Sequence, residues 1–296
     1  MTAPSRETSG VQGSSPAALS VVQRLAEDLE GTTLVLPAFP DSVARVQAAL
    51  QSEGNSTEEV VQVLSSEPGL AARILQVANA WIIRRSGAKI TDLTQAVNRM
   101  GYSMVRSITV AFGMRRFQGS DSYSPEQEQD LKATIAEAVN VAATASVLAQ
   151  HYTKIKKGDA LLTGLLHVMG RLYIIKQASD FGQISSEEMK EIYDQWHATI
   201  GKAIADSWGL PEEMGEAIEQ QEGDGLTTPG PVTLSDILVA AKLAASGEKP
   251  EGFDDPDNQS LHVFHKLGIA TCMDDLEIAL ETHEEEIEQL RKSLTP

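Results

Sequence analysis

Apolar residues recur along this chain at helical spacing, and no run shows the every-other-residue alternation of a half-buried strand. Leu19, Val22, Leu25, Ala26 and Leu29 mark a first amphipathic helix that Gly31 ends. Leu34 to Pro40 reads as an extended apolar linker, because each proline disfavours helix in the residue before it. A second helix over 41–51 turns Val43, Val46, Ala49 and Leu50 inward. Ser56 and Glu59 form a capping box ahead of Val60, Val63 and Leu64, and Pro68 opens a helix that buries Leu70, Ile74, Leu75 and Ala78. Thr91 opens another with Leu93, Ala96, Val97 and Met100, which Gly101 stops before Ser103 starts the next.

The polar segment 119–123 then marks a boundary between two lobes. Ser124-Pro125-Glu126-Gln127 caps a long helix to about His151, whose many alanines admit close neighbours. A near-continuously apolar helix over 159–176 carries His167 and belongs at the centre of the second lobe. Ser185 and Glu188 cap a helix reaching Trp208, which either runs unbroken or breaks near His197. Ser235 to Ala245 forms a small-residue helix, and the acidic, proline-containing stretch after it should end the compact body near Ser246. Leu276, Leu280, His283, Ile287 and Leu290 follow at heptad-like spacing on an acidic helix that either docks on the body or pairs with a second copy. The pattern predicts an all-α, two-lobed protein: a tail over 1–15, a first lobe over 16–118, a second over 124–246, an acidic linker over 247–258 and a helical extension over 259–296.

Composition narrows the function. Acids outnumber bases 42 to 24 for a formal charge of −18, which disfavours nucleic acid as a partner, since phosphate binding needs clustered cations. Aromatics make up only 5% of the residues, too few for a base-stacking surface. The single cysteine, Cys272, excludes an internal disulfide and any multi-cysteine zinc site. No apolar run approaches the roughly 20 residues of a bilayer span, and the first residues lack the core of a secretion signal, so a cytoplasmic location is expected. Against this acidic background Arg84, Arg85, Arg106, Arg115 and Arg116 gather in the first lobe. Arg84, Arg85 and Arg106 are the candidate contacts for an acidic partner.

Several stretches in order resemble one family. Leu36-Pro37-Ala38-Phe39-Pro40, then Glu67-Pro68-Gly69-Leu70 through Asn79-Ala80, and Ala96 to Arg106 resemble the first lobe of HDOD proteins, catalytically degenerate relatives of the HD metal-dependent phosphohydrolases. Gly164-Leu165-Leu166-His167-Val168-Met169-Gly170-Arg171-Leu172 resembles the helix on which the hydrolases carry their His-Asp pair. His197 to Gly201 and Trp208 to Pro211 resemble the elements that follow. The likeness spans about 34–246.

Carried over residue by residue, the resemblance places Glu137 at the first histidine position of the hydrolases, Val168 at the paired aspartate and Ala241 at the last aspartate. Only His167 survives of four ligands, whereas a catalytic divalent ion needs about three protein donors and an open water position. The resemblance therefore implies a bacterial signal-transduction module that acts by binding a protein or small ligand, with no catalytic residue, metal or cofactor. Its partner is unnamed; a small nucleotide in the groove between lobes and a homodimer stay open. Two alternatives remain: a phosphohydrolase rebuilt around His167, Glu137 and His197, and a nucleotide- or RNA-binding module. His262 and His265 have metal-like spacing but no third ligand in sequence.

Overall fold

The computed structural model describes residues 15–31, 41–51, 56–82, 89–115, 123–222, 230–246, 259–269 and 273–295. The expected linker at 34–40, Arg84, Arg85, Arg116, the acidic linker over 247–258 and Cys272 lie outside the described residues. Every regular element among those described is helical: α1 (Pro16–Glu30), α2 (Asp41–Gln51), α3 (Thr57–Ser65), α4 (Pro68–Ile82), α5 (Leu93–Met114), α6 (Pro125–Tyr152), α7 (Lys157–Leu166), α8 (Met169–Ala178), α9 (Ser186–Ser207), α10 (Glu212–Glu219), α11 (Leu234–Ser246), α12 (Gln259–Leu267) and α13 (Met273–Leu294).

Local chemistry sets the helix starts. Ser56, Ser124 and Ser185 each accept from the backbone N–H three residues on, while Glu59, Gln127 and Glu188 reach back to the cap N–H. The cap of α5 is Asp92, which accepts from the Gln95 N–H, rather than the expected Thr91. Gly101 sits inside α5 at φ +78°, a non-helical conformation that only glycine adopts cheaply, so α5 is two helices meeting at a sharp kink where the stop was expected.

The first lobe is α2 to α5, with Leu64, Leu70, Ile74, Val97 and Ile108 at its core. Asn79 pins the chain that leaves α4: its amide donates to the Leu75 and Ile90 carbonyls and accepts from the Ile90 N–H. The junction with the second lobe is tight at α5 and α7, where the Ser107 hydroxyl donates to the Gly158 carbonyl and Ser103 donates to Asp159.

Three expectations change. The helix expected over 159–176 is broken at His167 and Val168 into α7 and α8. Its apolar residues carry no periodicity from which a break could be read, because both halves are surrounded by neighbours. Among the described residues helix α1 packs mainly across α8 and α9 rather than on the first lobe, and Asp28 accepts from the Tyr173 hydroxyl at 2.6 Å. The body does not end near Ser246. Helix α12 packs Val263 and Phe264 against α11 and pairs Lys266 with Asp236 at 2.7 Å, and α13 lies across α4, α5 and α6, burying Leu290 and Leu294. Those two leucines contribute about 1.5–3 kcal/mol each, enough to hold a helix whose other face is charged.

Helix α6 is also long and apolar enough, by length and composition, to cross a bilayer, contrary to the sequence expectation. Its apolar window is 72% buried under α7, α11 and α13, which accounts for its composition as that of a core helix.

Candidate functional site

His167 is placed by two close helix approaches. A Cβ on Gly164 would lie 2.5 Å from Ala142 Cα, so α7 meets α6 backbone to backbone just before the histidine. A Cβ on Gly170 would lie 1.9 Å from the His197 carbonyl oxygen, so α8 meets α9 as closely just after it. The two glycines point into different neighbours, and the chain turns at His167 and Val168 to satisfy both. The imidazole is 2% exposed. Its Nδ1 donates to the Gly164 carbonyl at 2.7 Å, which leaves Nε2 facing Glu137 Oε1 at 3.5 Å.

Of the other expected site positions, Val168 and Ala241 bring no donor atoms and Glu137 brings a carboxylate. Val168 is 1% exposed and Ala241 is fully buried, both as alkyl groups in the core. Glu137 is committed elsewhere: its Oε2 accepts from Arg171 at 2.7 Å. Burial works against ionising this carboxyl, but His167 and Arg171 together outweigh it and hold the pKa at about 2. Arg171 in turn lies over the Tyr193 ring at 5.3 Å and 3.6 Å from Asp130, which accepts from the Tyr193 hydroxyl.

A second cation closes the other side. Lys242, the residue after Ala241, donates to Glu222 and, at 3.2 Å, to Gln221 Oε1, while Gln221 Nε2 donates to the His167 carbonyl at 3.0 Å. His197 Nε2 is 3.6 Å from Glu222 Oε1. Burial holds the His197 imidazole below its usual range; Glu222 opposes this, and Lys242, Arg171 and His167 add to it.

Tested against a catalytic divalent ion, the donor set does not fit. One imidazole and one carboxylate already paired with arginine are all that the four expected positions offer, and two fixed cations bias the surroundings against a third. Arg171 and Lys242 were missed from the sequence. The only signals were that Arg171 stands one turn beyond His167 and that Lys242 adjoins Ala241.

Of the arginines expected to meet a partner, only Arg106 falls within the described residues. It is half-buried, with Nη2 3.4 Å from the Leu50 carbonyl, and burial lowers its pKa while Asp159 opposes. It braces α5 against α2 and the lobe junction rather than offering a free surface charge. A cavity of about 510 Å³ is bounded by α5, α6 and α13, lined by Arg115, Lys132, Arg291 and Glu137 together with the apolar Met114, Ile135 and Leu294.

The HDOD domain family matches residues 36–223. A protein of Treponema pallidum (strain Nichols), itself uncharacterised, is 22% identical over 193 residues, covering 60% of this chain; the chain spans about a third of that relative's length, 36%. Among solved structures, a Shewanella amazonensis SB2B protein provisionally named a metal-dependent phosphohydrolase superposes with a TM-score of 0.72 at 23% identity, covering 95% of this chain and 100% of that one. A protein of Marinobacter aquaeolei VT8 provisionally named for signal transduction gives a TM-score of 0.55 at 18% identity, over 95% of this chain and 66% of that one. These two likenesses show the fold, and their extent takes in helices beyond the family match.

Proposed function

This chain belongs to the HDOD domain family, and from that premise we propose that it is a signalling module that works by binding and performs no hydrolysis at the position where HD enzymes hold their metal. The observation that carries this reading is the pair of cations, Arg171 and Lys242, tied into the hydrogen-bond network around a buried His167 whose neighbours Val168 and Ala241 supply no ligand. The network ties α6, α8 and α11 together around His167. Helices α5 and α13 join α6 in bounding the cavity.

The cavity is the recognition surface in this reading. Arg115, Lys132 and Arg291 outnumber the one lining acid, Glu137, though Lys132 and Arg291 also pair with Glu128 and Glu288; over the apolar walls this suits an acidic segment of a protein partner carrying one or two apolar side chains. In this reading the chain acts in signal transduction in a bacterial cytoplasm, and the provisional naming of the Marinobacter aquaeolei structure supports the signalling role.

Hydrolysis of a chromogenic phosphodiester with added Mn²⁺ or Mg²⁺ tests the first half. No turnover that depends on His167 is expected; activity abolished by His167→Ala would overturn the reading. The cavity is tested by capturing partners on the intact chain and on an Arg115→Glu, Arg291→Glu variant. Retention of every partner by the variant would refute the cavity assignment, and displacement by a nucleotide would reassign it to a small ligand.

A further inference from the structure

A second histidine cluster lies outside the site described above, where the end of α6 meets α13. His283 and Glu286 are three residues apart on α13 and share one face. Across from them, His151 in the last turn of α6 stacks on the His283 ring with centroids 4.0 Å apart and 20° between planes. His151 Nε2 is 2.9 Å from Glu286 Oε2, and one ligand atom from each of the three residues falls within 4.8 Å of the others. Gln150 holds the carboxylate from behind, its Nε2 donating to Glu286 Oε1 at 2.9 Å, and Lys157 donates to Gln150 Oε1 at 2.7 Å.

We propose that His151, His283 and Glu286 form a binding site for Zn²⁺ that fastens α13 to α6. Two imidazoles and a carboxylate are a donor set that zinc takes, with water completing a tetrahedron. The ligand atoms, now within 4.8 Å of one another, must close to distances of about 2.0–2.2 Å from the ion, with the rings turning from stacked to convergent. Gln150 plays the orienting part that a carboxylate ligand ordinarily needs. An ordinary ion pair between His151 and Glu286 needs no second imidazole stacked beside it. The chemistry of this cluster is unlike that around His167, where the nearest cations are protein side chains.

The site also has a structural consequence. Helix α13 touches α4 and α5 of the first lobe as well as α6 of the second, so an ion at its middle would stiffen the strut that spans the lobes. The acidic neighbours Glu281, Glu284 and Glu285 on α13 make the approach favourable for a divalent cation.

The test is Zn²⁺ titration of the full, chelator-stripped chain by calorimetry, with metal content after gel filtration as a second readout. About one equivalent should bind, and His283→Ala and His151→Ala should each weaken it by roughly tenfold or more, with helix content by circular dichroism unchanged. Zn²⁺ should raise the thermal midpoint of the parent chain and not of His283→Ala. Binding that is absent, or that is unaltered by His283→Ala, would overturn the proposal. Metal lost on His167→Ala but retained in His283→Ala would overturn it too, and would count against the non-catalytic reading, whereas metal that follows His283 leaves that reading intact.

Discussion

Acidification offers a direct probe of the network around His167. Glu137 is held at a pKa of about 2 against an ordinary 4.5. A carboxyl whose folded-state pKa is depressed contributes stability that is fully present above 4.5 and is lost as the pH falls toward 2. At about 1.4 kcal/mol per tenfold change the full contribution would be about 3 kcal/mol. The Glu137 side chain is 38% exposed, and solvent screening brings the expected figure down to about 1–2 kcal/mol. Urea unfolding of the parent and of Glu137→Gln at pH 6 and pH 3.5 isolates this share, because other carboxylates titrate alike in both proteins. The parent should be the more stable at pH 6 and should lose about 1 kcal/mol more than the variant on acidification, with unchanged denaturant slopes. Parallel losses would show that Glu137 is not held by Arg171 and His167 as the geometry requires. The same experiment on Arg171→Gln should shift the acid limb upward, since it removes one of the two partners that stabilise the carboxylate.

Other outcomes follow from the packing. Gly170→Ala places a methyl 1.9 Å from the His197 carbonyl oxygen, against backbone that cannot swing aside, and should cost about 3 kcal/mol or more by chemical denaturation; a loss under about 1 kcal/mol would mean that α8 and α9 separate freely. Leu294→Ala, at the end of α13, should cost about 2–3 kcal/mol, and a neutral result would indicate that α13 does not dock as seen. Restoring two carboxylates with Val168→Asp and Ala241→Asp should destabilise the fold without conferring metal binding at His167, because each charge enters a fully packed position; metal uptake abolished by a further His167→Ala would contradict the assignment.

The elements legible in the sequence were those whose cause is local. Ser56, Ser124 and Ser185 announce their helices because cap and partner stand three residues apart, and the structure shows all three reciprocal boxes. The seam on α13 was legible as a seam, but its partner was not. Heptad spacing is equally served by a second copy and by the body, and only the packing of Leu290 and Leu294 across α4, α5 and α6 decides. Helix α1 was assigned to the wrong neighbour for the same reason. Its apolar stripe says that it docks, whereas the Asp28 to Tyr173 hydrogen bond, formed across 145 positions, says where.

The region around His167 shows which parts of the motif serve packing rather than ligation. Gly164 and Gly170 stand where the backbones of α6 and α9 press against α7 and α8, and neither contact depends on what the residue at 168 coordinates. The motif's spacing can therefore persist for packing alone, which is why the likeness to metal-dependent hydrolases was readable while the activity was not. What replaces the ligands is tertiary: Arg171 reaches Glu137 from 34 positions away, and Lys242 reaches Gln221 and Glu222 from 21 and 20. A buried polar centre stripped of ligands would leave His167 and Glu137 to bear desolvation alone, and buried groups without partners are costly. Arg171 and Lys242 meet part of that cost, through Glu137 and through Gln221 and Glu222, while His167 Nε2, Arg171 Nε and His197 Nδ1 stay without a hydrogen-bond partner. Replacing Arg171 by leucine should accordingly raise the Glu137 pKa and destabilise the fold, and the loss should shrink when Glu137→Gln is added. A double-mutant cycle in which the two losses simply add would show that this pairing carries no stability of its own.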